Sequence, residues 1–255
     1  MKYQLETIPI WEAFRQNSEC PLCLLEESNQ KNYTNFFLGD SVMDPDIRIE
    51  VNKKGFCALH LELLFKGGHK LGLALMAHTH LQELLQKIKK KAFLLISKTE
   101  NASGKSDMQK PFKREKTLAR SLKELRILLS TQEKQCLFCE RLNTTLRRYA
   151  FTIIYLFKKD EKFSKVLKAS RGFCLHHLIL ILDMASENLS KKMILEFLKM
   201  LLPLQEKNLE RLEKELHWFT KKFDYRNQDK SWKTSKDALP RTLQKLAGKI
   251  FRELQ

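Results

Sequence analysis

The chain has 255 residues, 43% of them apolar and 30% charged. That is enough to bury a sizeable core in one large domain or two smaller ones, and too apolar for a disordered chain. The formal charge of +17 points toward acidic partners, although lysines that merely solvate helix faces give the same balance.

Only eight glycines and six prolines stand against abundant leucine, lysine and glutamate, so helices are expected rather than strands. Residues 1–60 hold 6 Lys/Arg against 9 Asp/Glu, residues 61–135 hold 16 against 7, and residues 136–255 hold 25 against 14. The basic excess therefore belongs to the middle and C-terminal parts. No stretch approaches the roughly 18 apolar residues of a membrane span. The opening MKYQLETIPIWEAF lacks the basic-then-apolar order of a secretory signal. The expected compartment is the cytoplasm, where paired cysteines serve as metal ligands more often than as disulfides.

All six cysteines fall into one pattern that occurs twice. The first copy is Cys20-Pro-Leu-Cys23 followed by Gly55-Phe56-Cys57-Ala58-Leu59-His60, and the second is Cys136-Leu-Phe-Cys139 followed by Gly172-Phe173-Cys174-Leu175-His176-His177. The step from first to third cysteine is 37 positions in one copy and 38 in the other. Such a repeat predicts a duplicated unit of over a hundred residues. Zinc favours four thiolate or imidazole ligands at tetrahedral corners. A Cys-x2-His pair at a helix start sets its two side chains one turn apart on one face. The sequential reading joins the two arms within each copy: Cys20, Cys23, Cys57 and His60 in one Cys3His site, and Cys136, Cys139, Cys174 and His177 in the other. Matching the copies makes His177, not His176, the ligand. Lys54 and Arg171, each just before Gly-Phe-Cys, are expected to offset thiolate charge.

Two structural zinc ions are the expected cofactors. An iron–sulfur cluster on the same ligands is the alternative, since spacing alone does not distinguish them. A complete four-ligand shell leaves no open position for water and argues against catalysis at the metal.

Between the copies, SKTENASGKSDMQKPFKRE (97–115) is polar and basic and reads as a linker or mobile loop, with a nucleic-acid contact as its other reading. Leu118, Leu122, Leu125 and Leu129 step by helical intervals. A longer stripe runs from Leu195 through Leu198, Leu202, Gln205, Leu209, Leu212, Leu216 and Phe219 to Phe223, with Pro203 expected to kink it or start a new helix. Both are read as helices packed on their own core rather than as dimeric coiled coils. His78 and His80 have no counterpart in the second copy; they are either a site private to the first half or partly buried structural histidines. The stretch from Asp224 to Arg241, with Arg226, Lys236, Asp237 and Arg241, is either a functional loop or a tail folded back on Tyr225 and Trp232. Ser235 or Asp237 is expected to cap a last helix.

The expected architecture is all-α, a duplicated helical repeat with each half organised around a Cys3His site. Residues 1–96 form the first repeat, 97–116 the basic linker, 117–222 the second repeat, and 223–255 the C-terminal loop and helix. The motifs Glu19-Cys-Pro-Leu-Cys, Val42-Met-Asp-Pro with Arg48, Gly55-Phe-Cys-Ala-Leu-His, Leu71-Gly-Leu-Ala-Leu-Met-Ala-His-Thr-His80, Phe223-Asp-Tyr-Arg-Asn and Ser235-Lys-Asp-Ala-Leu-Pro-Arg241 carry a resemblance over nearly the whole chain. They resemble a bacterial family of unknown function with duplicated CxxC…GFCxxH motifs, common in anaerobic Gram-positive bacteria. The resemblance implies the helical two-site fold and no activity. It also implies glycine after the tryptophan near the end, where Lys233 stands here. Three functions fit: a zinc-stabilised, non-enzymatic binding module for an acidic protein or nucleic acid; a redox- or metal-responsive protein; or an enzyme using the C-terminal loop with His78 or His80.

Overall fold

The computed structural model describes residues 6–101 and 111–251. Among them are eleven α-helices, two short 3-10 turns and no strand. In chain order the helices are α1 (Thr7–Arg15), α2 (Pro21–Leu38), α3 (Pro45–Lys54), α4 (Ala58–Lys66), α5 (Lys70–Asn101), α6 (Pro111–Lys134), α7 (Leu137–Lys159), α8 (Glu161–Ala169), α9 (Leu175–Asn188), α10 (Lys191–Lys221) and α11 (Ala238–Ala247). No described helix is long and apolar enough to cross a membrane.

The chain forms two compact units, one of residues 1–30 with 142–255 and one of residues 31–141. These limits differ from the repeat limits of 1–96 and 117–222, because each unit takes an arm from both copies. Of the basic stretch 97–116, residues 102–110 lie outside the described residues; α5 covers its beginning and α6 its end.

In the unit of 31–141, α5 and α6 pack side by side and Lys91 reaches Glu124 at 3.2 Å. The leucine stripe of α6 is only partly covered, with Leu122 50% and Leu129 44% exposed. Its aromatic core is Phe37, Phe56 and Phe138, with ring centroids 5.1 and 5.6 Å from Phe37. In the other unit Phe163 lies edge-on to Trp11 and Phe14, and Phe14 meets Phe173 at 6.2 Å. The phenylalanine of each Gly-Phe-Cys thus anchors its arm against an aromatic cluster next to the candidate ligand, Phe173 fully buried and Phe56 half-buried.

α10 runs unbroken through Pro203. Its buried ridge is Phe197, Leu201, Gln205, Asn208 and Leu212, while Leu195, Leu202 and Leu209 face outward. The stripe read from the sequence is therefore rotated from the packed face. Gln205 and Leu212 belong to both; the ridge adds the polar Asn208, which a search for apolar periodicity passes over.

Candidate metal centres

Both kinds of arm are helix starts. Cys20 precedes α2, whose first residue is Pro21, and Cys136 precedes α7. Cys57 and Cys174 are the N-cap residues of α4 and α9, and the Cys174 sulfur accepts from the His177 backbone N–H at 3.4 Å. Four helix N-termini thus carry the eight candidate ligand side chains, with positive dipole ends toward the sulfurs.

The arms meet across the copies. Cys20, Cys23, Cys174 and His177 form one group, all four buried; Cys57, His60, Cys136 and Cys139 form the other. In each group the ligand atoms lie within 4.8 Å of one another, and each group could hold a metal ion. The sequential pairing within a copy is corrected here: the CxxC of one copy faces the CxxH of the other. Nothing in the spacing distinguishes the two pairings, because duplicated arms have the same intervals either way. Loop closure favours the local pairing only weakly. Joining Cys23 to a partner 151 positions away rather than 34 costs about 1.3 kcal/mol of extra loop entropy.

In the first group His177 Nδ1 lies 3.5 Å from Cys20 and Cys23 Sγ and 3.2 Å from Cys174 Sγ, and the Cys23 and Cys174 sulfurs are 3.6 Å apart. In the second, His60 Nδ1 lies 3.3, 3.4 and 3.2 Å from Cys57, Cys136 and Cys139, and Cys57 and Cys139 are 3.8 Å apart. His176 is exposed beside the buried His177.

Without a cation the thiols conflict. Hydrogen bonds with Cys174 and Cys20, then burial, push the Cys23 thiol far up, while hydrogen bonds from Cys20 and Cys23 pull Cys174 far down. Burial opposes the His177 imidazolium, yet hydrogen bonds to Cys174 and Cys20 outweigh it and raise the group to about 10. In the second group burial and the crowding of Cys136 and Cys57 push Cys139 up to about 12, and burial lowers His60. Three neighbouring thiols cannot ionise together unaided, and a divalent cation removes that conflict.

The surroundings differ between the groups. The buried Nε2 of each histidine makes no hydrogen bond among the described residues; that of His177 has the Glu26 carboxylate 3.5 Å away, whereas His60 stacks on Phe138 at 4.0 Å. The two arms of the first group are clamped by Lys245, 1% exposed, whose Nζ donates to the carbonyls of Glu19 at 2.6 Å and Arg171 at 2.5 Å. Gly248, at the end of α11, accepts from Cys23 Sγ at 3.4 Å.

The charges expected to face the thiolates are engaged elsewhere. Lys54 Nζ binds the Glu140 carboxylate at 2.6 and 2.7 Å, and Arg171 binds Glu19 at 2.8 Å. Each pair links one arm to the other beside a ligand.

The glycine before each Phe-Cys has positive φ, 64° at Gly55 and 72° at Gly172, and a long helix closes on it. A Cβ on Gly55 would come within 2.6 Å of His80 Nε2, and one on Gly172 would strike the Gln205 amide. Gln205 clamps Phe173 by accepting from its N–H at 3.0 Å and donating to its carbonyl at 2.5 Å. His80 likewise lies over its glycine, Gly55, but its Nδ1 is 2.9 Å from the Asn52 carbonyl oxygen. The histidine without a sequence counterpart has a spatial one in Gln205.

Residues 1–253 match the profile of one protein family. The chain belongs to the family of unknown function DUF6062. No curated protein and no solved structure matches it.

The other candidate residues of this DUF6062 chain scatter. His78 is exposed on α5, in the unit of residues 31–141. Arg226 is exposed and pairs with Asp224 at 2.7 Å, and Lys236 is exposed. Asp237 and Arg241 pair at 2.8 Å and line one cleft. Asp237 is the N-cap residue of α11 but makes no side-chain cap, and Ser235 Oγ donates to the Trp232 carbonyl instead. The loop folds back on α10: Trp232 packs on Phe219 at 5.7 Å, while Tyr225 is 79% exposed and anchors nothing. Lys233 has a φ of 50°, a left-handed position suited to the glycine the resemblance implies.

The sequence assigns no role to Glu19, Glu26, Gln205, Arg211 or Lys245. Gln205 was visible only as a polar residue on an otherwise apolar stripe.

Proposed function

We propose that the chain is a zinc-stabilised helical binding protein, non-enzymatic at its metals, whose two Cys3His sites each staple a CxxC arm to a CxxH arm from the other copy. The spacing of the ligand atoms supports this reading. Zinc bonds of about 2.3 Å to sulfur and about 2.05 Å to nitrogen give a tetrahedron with edges of about 3.8 Å between thiolates and about 3.6 Å between thiolate and imidazole. The observed distances of 3.2–3.8 Å match a single ion. A four-iron cluster would hold its ligands much further apart around its own cage. Four protein ligands complete the shell, so zinc here would supply structure. The compartment this reading requires is the reducing cytoplasm, and the net charge of +17 supports an acidic partner.

Protein purified without oxygen should be colourless and contain about two zinc ions per chain by elemental analysis. Strong chelation should lower its melting temperature and loosen its helices, because structural zinc contributes on the order of 10–16 kcal/mol of apparent binding free energy in small domains. A metal-free protein with unchanged melting would sink the reading, and a brown protein would transfer it to iron–sulfur.

One observation favours a second reading, a redox- or metal-responsive protein. Cys57 and Cys139 are only half-buried, while the first group is wholly enclosed. Oxidants that reach these two sulfurs would release the second metal.

A further inference from the structure

Beside the first metal centre lies a cleft of about 610 Å³ whose basic walls are Lys168, Arg171, Lys207, Arg211 and Arg241. Behind this lining a single buried carboxylate holds three of the arginines. Glu19, 1% exposed, accepts from Arg171 Nη1 at 2.8 Å, from Arg211 Nη2 at 2.7 and 2.8 Å, and from Arg241 Nη1 at 3.3 Å. Arg241 also reaches Glu215 at 2.5 Å and Asp237 at 2.8 Å, and Arg211 reaches Glu215 at 3.0 Å. The acids orient the guanidiniums without neutralising the cleft. Counted with the buried Lys245 and Glu19 behind the lining, six basic groups stand against three carboxylates, Glu19, Glu215 and Asp237. Lys168 and Lys207 are exposed and engage no carboxylate, and Arg171 uses only Nη1 on Glu19.

We propose that this cleft binds a small phosphorylated ligand. An excess of three positive charges suits a phosphoryl group of two or more negative charges better than a single carboxylate. Guanidinium forks held in place by buried acids are preorganised for phosphate oxygens. The volume is that of a small-molecule site. No aromatic residue lines it, so it offers no platform for stacking the bases of a nucleic acid. Asn17, Asn208 and Thr234 on the walls suit a hydroxylated body behind the phosphate. The site is tied to the metal centre: Glu19 adjoins Cys20, and Lys245 holds the Glu19 and Arg171 carbonyls together. This rests on the reading of the chain as a binding protein for acidic partners, and is independent of which metal it holds.

The test is calorimetric titration of the full metal-loaded chain with inorganic pyrophosphate and with glucose 6-phosphate, at low salt and at matched ionic strength. Two double variants are compared: Lys168→Ala with Lys207→Ala, and Lys192→Ala with Lys214→Ala, which removes the same charge from exposed positions outside the cleft. Expected is saturable binding of at least one probe at one site per chain. It should weaken at least tenfold in the first double variant and stay within twofold in the second. Preference for glucose 6-phosphate would identify a phosphorylated small molecule as the source, and preference for pyrophosphate an inorganic one. Equal weakening in both variants, or no binding of either probe, would overturn the proposal. If a labelled RNA oligonucleotide binds while both small probes fail, the cleft assignment falls and the broader acidic-partner reading stands. Zinc content measured on the same samples keeps the metal reading separate.

Discussion

His176 and His177 are neighbours in the chain and opposites in environment, one exposed and one buried among three sulfurs. About 100° of helix rotation per residue separates them, and it is His177, the residue that matching the copies selects, that lies with the three cysteines. His177→Ala should leave about one zinc per chain and His176→Ala about two, read by elemental analysis of the purified variants. What the sequence hid at this scale were the polar residues that hold the arms. Glu19, Gln205 and Lys245 act on partners 32 to 226 positions away, and no local pattern marks such contacts. Gln205 makes one of them measurable. Gly172→Ala would add a left-handed alanine, costing about 1–2 kcal/mol, and displace the amide that satisfies the Phe173 backbone, about 1–3 kcal/mol more. A loss of about 2–5 kcal/mol in denaturant unfolding is expected, with zinc lost first from the site of Cys174. Unchanged stability would show that the Gln205 clamp is not what holds that arm.

Helices were legible as helices because leucine, lysine and glutamate fill them and glycine punctuates them, and the Cys-x2-His pairs do begin helices, with each cysteine as N-cap. Which face of α10 is buried was less legible, since Gln205 and Asn208 share the ridge with Phe197, Leu201 and Leu212. The two candidate centres share the same pair of element types and differ in cover. In one, four buried ligands lie under α11, with Glu26 near His177 Nε2; in the other, two sulfurs are half-buried. Metal release should therefore have two phases. A thiol reagent such as N-ethylmaleimide should first free one zinc while modifying Cys57 and Cys139, and free the second zinc much more slowly. Peptide mapping of the alkylated protein at the half-way point reads the order. Cys20 or Cys174 labelled in the fast phase would contradict the difference in burial.

At the scale of the molecule, duplication made the two-site architecture readable and at the same time concealed its pairing. Identical arms at intervals of 37 and 38 positions are equally consistent with closure inside a copy and exchange between copies. The entropy difference of about 1.3 kcal/mol is small beside the packing that decides. Each compact unit draws a CxxC from one copy and a CxxH from the other. The direct measurement is the zinc content of two double variants purified without oxygen, Cys20→Ser with Cys174→Ser and Cys20→Ser with Cys57→Ser. Exchange between the copies predicts about one zinc per chain in the first, where both changes fall in one site, and none tightly held in the second, where each site loses a ligand. One zinc retained in the second variant and none in the first would contradict it.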